Sequence, residues 1–79
     1  MNARLVFLGR LEDLAGSGER TVVAGPLGTV LAALEPELAA ALQGDRVRMA
    51  LNGDLVTDPG AIVLSEGDEL AFLPPVSGG

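Results

Sequence analysis

The run Glu69-Leu70-Ala71-Phe72-Leu73 carries apolar side chains at both alternating positions of a predicted strand. Successive side chains in a strand point to opposite faces, so both faces of this one are apolar. Such strands are typical of the interior of a sheet, because an edge or half-exposed strand alternates apolar with polar residues. Near the other end of the chain, residues 4–8 (Arg-Leu-Val-Phe-Leu) have the same two-sided pattern. We therefore expect these two strands to pair at the centre of a sheet.

Three shorter strands are predicted between them. Residues 21–24 form a short segment rich in β-branched side chains, and a predicted turn at residues 25–28 ends this strand. Residues 47–51 alternate, which directs Val47, Met49 and Leu51 inward. Asn52-Gly53 follows directly, and this dipeptide predicts a hairpin because both central positions of a type I′ turn need positive φ. Residues 55–56 are then expected to fold back.

The helical region lies before the hairpin. Residues 10–15 predict a short helical turn that ends at Gly16, and Thr29 is a candidate N-cap for a longer helix. Pro36 interrupts that helix, which predicts either a break after Leu34 or a second short helix that begins near Pro36. The apolar residues at helical spacing are Leu31, Leu34, Leu38 and Leu42.

The order strand, strand, long helix, strand, short strand, strand indicates an α+β domain. It predicts a mixed sheet of four to five strands packed on one main helix, a β-grasp arrangement, although the pattern alone leaves a ferredoxin-like arrangement open. With 79 residues, of which 48% are hydrophobic, the chain is expected to form a single domain over residues 1–79. Residues 74–79 are predicted to be its flexible tail.

Composition excludes several kinds of function. The chain has no cysteine and no histidine, so it lacks thiol nucleophiles, disulfides, the usual general base and the commonest nitrogen ligand for a metal. We expect no metal, no bound cofactor and no independent enzyme activity. The adjacent acid pairs Glu12-Asp13 and Asp68-Glu69 do not converge on one point and are interpreted as solvated surface.

Charge and hydropathy bear on the partners. A net charge of −6 without a basic stripe argues against nucleic acid, and on whole-chain charge a basic protein surface would suit this protein better. The apolar run at residues 5–8 is too short for a secretory signal, and no segment approaches the length of a membrane span. We expect a cytoplasmic protein that does not engage membranes.

The run from Leu70 to Gly79 is uncharged and ends in Gly78-Gly79 and an α-carboxylate. Paired glycines make a thin backbone, and prolines at 74 and 75 favour an extended arm. This predicts a carboxylate that threads a narrow channel of a partner enzyme, with Gly79 as the reacting residue and Gly78 allowing passage. A carboxylate must first become a mixed anhydride such as an acyl adenylate. No nucleotide-binding motif is visible in the chain, so we expect a partner to use ATP for that activation.

Residues before the glycines are expected to form the contact with that partner. A core or rim position is open for Phe72, whereas Pro75 and Val76 are expected to contact the partner directly. The complete predicted interface is Phe72, Leu73, Pro74, Pro75, Val76 and Ser77.

The ending Phe72-Leu73-Pro74-Pro75-Val76-Ser77-Gly78-Gly79, preceded by Glu66-Gly67-Asp68-Glu69, resembles the small subunit of molybdopterin synthase, the MoaD family of ubiquitin-like sulfur carriers. The segment Leu-Glu-Asp-Leu-Ala-Gly at residues 11–16 and the Leu51-Asn52-Gly53 turn also fall where that family has them. The Phe-x-Pro-Pro-Val-x-Gly-Gly pattern favours this branch over the thiazole-synthesis carriers.

The resemblance implies a cycle of activation and transfer. An adenylyltransferase related to ubiquitin-activating enzymes would adenylate Gly79 with ATP, and a persulfide would convert it to a thiocarboxylate. The tail would then enter the large synthase subunit and give sulfur to cyclic pyranopterin monophosphate during molybdenum cofactor biosynthesis. Two small and two large subunits would form a heterotetramer, with Leu73, Pro75 and Val76 in the contact.

Three alternatives stay open at this point. The chain could carry sulfur for tRNA thiolation or thiamine, modify proteins through an isopeptide bond, or be a β-grasp binding module whose tail does no chemistry. Lysine is absent, so chains could be linked to one another only through the α-amino group of Met1.

Overall fold

A computed structural model describes residues 1–75 of the chain. Within that range the chain forms five strands, three α-helices and one short 3₁₀-helix. In chain order these are β1 (Asn2–Phe7), α1 (Arg10–Ala15), β2 (Glu19–Val23), α2 (Leu27–Ala32), α3 (Pro36–Leu42), β3 (Arg48–Leu51), β4 (Asp54–Leu55), the 3₁₀-helix (Pro59–Ala61) and β5 (Glu69–Leu73).

The strands form a mixed sheet in the order β2-β1-β5-β3-β4. The first and last strands, β1 and β5, lie side by side and run parallel, with Leu5 opposite Leu70 and Phe7 opposite Phe72. Strands β2 and β3 flank this pair in antiparallel orientation. The expectation that the two strands with apolar residues on both faces pair centrally is confirmed, as is the α+β class.

One face of the sheet packs on the helices and forms the core. The rings of Phe7 and Phe72 stack there with centroids 5.9 Å apart and planes inclined by 13°. Burying such side chains supplies most of the favourable free energy of folding in a domain of this size. The side chains with the least exposure are Leu5, Phe7, Leu42, Leu64, Leu70 and Phe72.

Pro36 divides the helical region. Helix α3 begins with Pro36 in its first turn, so the second of the two predicted arrangements is the correct one, and two short helices replace a single long helix. The predicted N-cap at Thr29 is wrong, because α2 already begins at Leu27. The Leu27 N–H donates to the carbonyl of Ile62 at 3.0 Å, so a contact distant in sequence satisfies the first turn.

Two predicted turns are confirmed. Helix α1 ends at Gly16, which adopts φ 84°, a left-handed conformation that favours glycine. Strands β3 and β4 form the hairpin expected from Asn52-Gly53, with φ values of 50° and 90° at these two residues. Across the part of the chain described, no helix is long and apolar enough to cross a membrane.

Candidate functional site

The end of β5, where the tail leaves the sheet, is held by both neighbouring strands. The Leu8 N–H donates to the Phe72 carbonyl at 3.1 Å, which extends the β1–β5 pairing by one bond beyond β1. On the other side, Leu73 lies opposite Arg48, the first residue of β3. The base of the tail therefore leaves the sheet at the end of its central strand, with a bonded strand on each side.

Gly9 lets the next residue pack against the body of the domain. It adopts φ 56°, and an ideal Cβ at this position would lie 2.8 Å from Cγ of Pro74, closer than real Cβ contacts. Pro74 is half-buried in the space that the missing side chain leaves. The residue at which we expected the flexible tail to begin is thus packed against the turn that follows β1.

The face of the sheet that points away from the helices is not covered by the residues described. The strand register places a row of apolar side chains across four strands of this face: Val6, Ala71, Ala50 and Leu55. The first three are half-buried, and Leu55 is 60% exposed. Leu73 extends this open face toward the tail. Two alanines at its centre make the surface shallow, which suits docking against a protein rather than enclosure of a small ligand.

Phe72 does not belong to this surface. Its side chain is 0% exposed and lies between Phe7 and Met49 in the register of the three central strands. The expectation that its side chain contacts a partner is therefore corrected, because the position points to the helix side of the sheet. Leu73, Pro74 and Pro75 are half-buried and present atoms to solvent. The remaining predicted site residues, Val76, Ser77, Gly78 and Gly79, lie outside the described residues.

A hydrogen-bonded network that the sequence did not reveal positions the start of β5. The Asn52 amide donates to Oδ1 of Asp68 at 3.0 Å and accepts from the Glu69 N–H at 2.9 Å. Oδ2 of Asp68 accepts from the Ser65 N–H at 2.8 Å. The bond from Ser65, followed by that from Asn52, lowers the pKa of Asp68. Asp68 was interpreted as solvated surface, but it is half-buried and its carboxylate accepts hydrogen bonds from Ser65 and Asn52.

One cleft near the helices offers little to a nucleotide cofactor. A cleft of 420 Å³ opens between α2, the end of α3 and the 3₁₀-helix, and Asp45 is the one charged residue that lines it. Without a cation it has nothing to pair with the phosphates of a nucleotide. Over residues 1–75, no three acidic side chains come together in a way that could hold a metal ion.

Comparison with known proteins places this geometry in context. A family model described as the ThiS family matches residues 5–79. The molybdopterin synthase sulfur carrier subunit of Escherichia coli K12 is 34% identical over 82 residues, which covers 96% of this chain and 98% of that protein. These two matches confirm the resemblance inferred from the ending.

Solved structures share the fold. SAMP1 of Haloferax volcanii superposes with a TM-score of 0.79 and 26% identity, with complete coverage of both chains. A chain of the complex of subunits 1 and 2 of molybdopterin-converting factor from Helicobacter pylori superposes with a TM-score of 0.68, 24% identity and complete coverage of both chains. These likenesses confirm the ubiquitin-like β-grasp fold.

Proposed function

The chain belongs to the ThiS family, and on that premise we propose that it is the sulfur carrier subunit of a molybdopterin synthase. Gly79 would carry the sulfur as a C-terminal thiocarboxylate. The observation that carries this proposal is the similarity, over nearly the full length of both chains, to a molybdopterin synthase sulfur carrier subunit. The position of the base of the tail supports this proposal. Strand β5 ends at Leu73, so Leu73 and Pro74 lie beside the uncovered apolar face of the sheet.

The chemistry of loading requires a partner enzyme. The carboxylate of Gly79 would attack the α-phosphate of ATP and release pyrophosphate, giving an acyl adenylate on the activating adenylyltransferase. The terminal sulfur of a persulfide would then attack the carbonyl carbon and displace AMP. Cleavage of the remaining S–S bond by a thiol leaves the thiocarboxylate. No residue of this chain acts as acid or base in these steps, in keeping with a composition without histidine or cysteine.

The role of this chain in the proposed cycle is to dock on the partner and to insert its C-terminal tail. The shallow open face and Leu73 supply apolar area for docking, at about 25 cal/mol per Å² buried before the cost of association is deducted. Pro74 and Pro75 restrict φ at the base of the tail, so less conformational entropy is lost on insertion. Gly78 and Gly79 have no side chains to obstruct a channel.

The proposed acceptor complex contains the large synthase subunit, in which the tail would give its sulfur to cyclic pyranopterin monophosphate. The Helicobacter pylori structure, described as a complex of subunits 1 and 2 of molybdopterin-converting factor, motivates this pairing. We propose a heterotetramer of two small and two large subunits that works in the cytoplasm.

Intact mass measurement tests the proposal. The protein is incubated with an adenylyltransferase of the ubiquitin-activating type, ATP and a persulfide donor, and the C-terminal peptide is then sequenced. We expect the mass gain for replacement of one oxygen by sulfur, located on Gly79. A variant with one residue added after Gly79 is the control and should stay unmodified while it keeps the fold. An unchanged wild-type mass across several activating enzymes would refute the proposal and favour a binding module.

A role as a protein modifier is the second candidate, because small archaeal modifier proteins share the fold over 95–100% of this chain. In that case the adenylated Gly79 would be attacked by a lysine amine of another protein, with loss of AMP. The same incubation, extended with cell extract, separates the two functions. Covalent adducts that end in a Gly79 isopeptide bond would indicate modification, and thiocarboxylate without adducts would indicate sulfur transfer alone.

A further inference from the structure

Gly9 lies in a tight turn that joins the end of β1 to the start of α1. The Leu11 N–H donates to the Leu8 carbonyl at 3.1 Å across this turn, and the Leu8 N–H donates to the Phe72 carbonyl of β5, also at 3.1 Å. Gly9 has φ 56° and ψ −135°, the first central position of a type II′ turn, which favours glycine. The turn is therefore fastened both to α1 and to the strand that leads into the tail.

Gly9 differs from the other glycines of the turns in what faces it. Five glycines within residues 1–75 have φ in the left-handed region. At four of them a Cβ would meet no atom within 4 Å. At Gly9 it would meet the ring of Pro74, with Cγ at 2.8 Å, Cδ at 3.7 Å and Cβ at 3.9 Å. The turn conformation accounts for a glycine here, but only the missing side chain accounts for the space that Pro74 fills.

Pro74 is the first residue after β5, and a second proline follows it. The rings fix φ at about −65° at both positions, and a residue before proline is held in an extended conformation. The orientation of Pro74 against Gly9 is therefore passed to Pro75 with little freedom between them. Residues 75–79, when fully extended, span about 17 Å, so a rotation of about 10° at Pro74 would displace the carboxylate by about 3 Å.

We propose that Gly9 is a positioning residue for the chemistry at Gly79, because the space left by its missing side chain receives Pro74 and sets the direction in which the tail leaves the sheet. This inference rests on the proposed function, since it concerns delivery of the C-terminal carboxylate to a partner. Gly9 touches no reacting atom and acts only through Pro74. A fixed direction raises the fraction of molecules whose tail is ready to enter a channel, which lowers the KM for this protein.

A double-mutant cycle on the full-length protein tests this role. Gly9→Ala moves Cγ of Pro74 from 2.8 Å to the 3.4 Å at which ordinary contacts begin, a displacement of about 0.6 Å. Pro74→Ala removes Cγ and Cδ but keeps the Cβ, which at 3.9 Å is in ordinary contact with a Cβ at position 9. Residue 74 stays extended in this variant, because Pro75 still follows it. The double variant therefore removes the clash but retains the backbone strain at position 9.

Gly16→Ala is the matched control, because Gly16 follows the same helix with φ 84° and a Cβ there would meet nothing within 4 Å. Steady-state adenylation by an adenylyltransferase of the ubiquitin-activating type, the first reaction proposed for Gly79, gives KM and kcat for each protein. Intact mass follows the thiocarboxylate. Nuclear Overhauser effects between the Hα protons of Gly9 and the Hγ protons of Pro74 report the contact in the free protein, and urea unfolding reports stability.

We expect Gly9→Ala to raise KM about tenfold with little change in kcat, because it misdirects the tail without altering the reacting atoms. Pro74→Ala should raise KM about threefold. The double variant should have the KM of Pro74→Ala, although it unfolds at lower urea than that variant. Gly16→Ala should also lose stability but keep the wild-type KM. The Overhauser effect should be observed in the wild type.

Additive losses in the double variant would overturn the inference, because strain at position 9 rather than the contact with Pro74 would then limit the reaction. A rise in KM for Gly16→Ala equal to that for Gly9→Ala would overturn it as an effect of stability. If Gly9→Ala does not fold, Pro74→Ala decides alone, and a wild-type KM for it would overturn the inference.

The wild type separates this inference from the proposed function. If it is adenylated and gains the thiocarboxylate but shows no Overhauser effect between Gly9 and Pro74, the inference fails and the proposed function stands. If it shows the Overhauser effect but gains neither adenylate nor thiocarboxylate, the proposed function fails, and the role of Gly9 in it fails as well.

Discussion

Replacing Phe72 with alanine distinguishes a core residue from an interface residue. The side chain is 0% exposed and stacks on Phe7. A buried phenylalanine removes about 150–250 Å² from water, which at about 25 cal/mol per Å² corresponds to roughly 4–6 kcal/mol. Alanine retains the Cβ, and such truncations typically cost about 3–5 kcal/mol. A chain of 79 residues has a total free energy of unfolding of roughly 4–12 kcal/mol. Phe72→Ala should therefore remove a large part of that stability.

Urea unfolding followed by far-ultraviolet circular dichroism measures this loss, since the chain has no tryptophan or tyrosine to report by fluorescence. Leu73→Ala is the matched control, one residue further along β5 on the half-buried open face. We expect Leu73→Ala to cost about 1 kcal/mol or less, as partly exposed positions do, while weakening binding to a partner. Phe72→Leu, which keeps most of the apolar volume, should cost less than Phe72→Ala.

The opposite pattern would refute the reasoning. If Phe72→Ala changes the free energy of unfolding by less than about 1 kcal/mol but abolishes partner binding, the side chain acts at an interface. The stacking on Phe7 would then not describe the protein in solution.

Three further predictions concern the network at the start of β5 and the tail. Because hydrogen bonds lower the pKa of Asp68, its contribution to stability should be complete above the unfolded carboxyl pKa of about 3.9 and be lost as pH falls through the lower folded value. Urea midpoints of wild type and Asp68→Ala should thus differ at neutral pH and converge in acid; a constant gap would contradict the assignment. Asn52→Ala should lower the free energy of unfolding by about 1–2 kcal/mol, because it removes two hydrogen bonds and places alanine at a positive φ. Asn52→Gly should lose less, because glycine adopts a positive φ without strain. Equal losses for the two variants in urea melts would show that backbone strain contributes nothing. Gly78→Val should leave urea stability unchanged but slow adenylation and sulfur transfer to Gly79, and unaltered rates in both assays would count against a narrow channel.

The sequence predicted the features that depend on local chemistry. Asn52-Gly53 formed the hairpin and Pro36 began a second helix, because each of these effects arises within a few residues. The central pairing of β1 with β5 joins residues 65 apart, but the apolar pattern that predicted it lies within each strand. The start of α2 was missed because it depends on the Ile62 carbonyl, which lies 35 residues beyond Leu27 in the chain. A pattern of caps and spacings contains no information about such a partner.

The candidate site was also predicted only in part. The uncharged run and the paired glycines identified the tail, but alternation on β5 could not decide which of its two apolar faces is covered by helices. The structure places Phe72 inside and Leu73 outside.

The pairing of the first strand with the last also determines how firmly the tail is anchored. A tail attached to an edge strand could separate by local fraying, since edge strands are bonded on one side only. Here the base of the tail follows a strand bonded on both sides, with Leu5 and Leu70 at 0% exposure beneath it. Moving that base requires breaking the centre of the sheet, which is close to global unfolding. If a partner draws the tail into a channel, as proposed, the base of the tail would stay fixed to the sheet while the partner acts on its end.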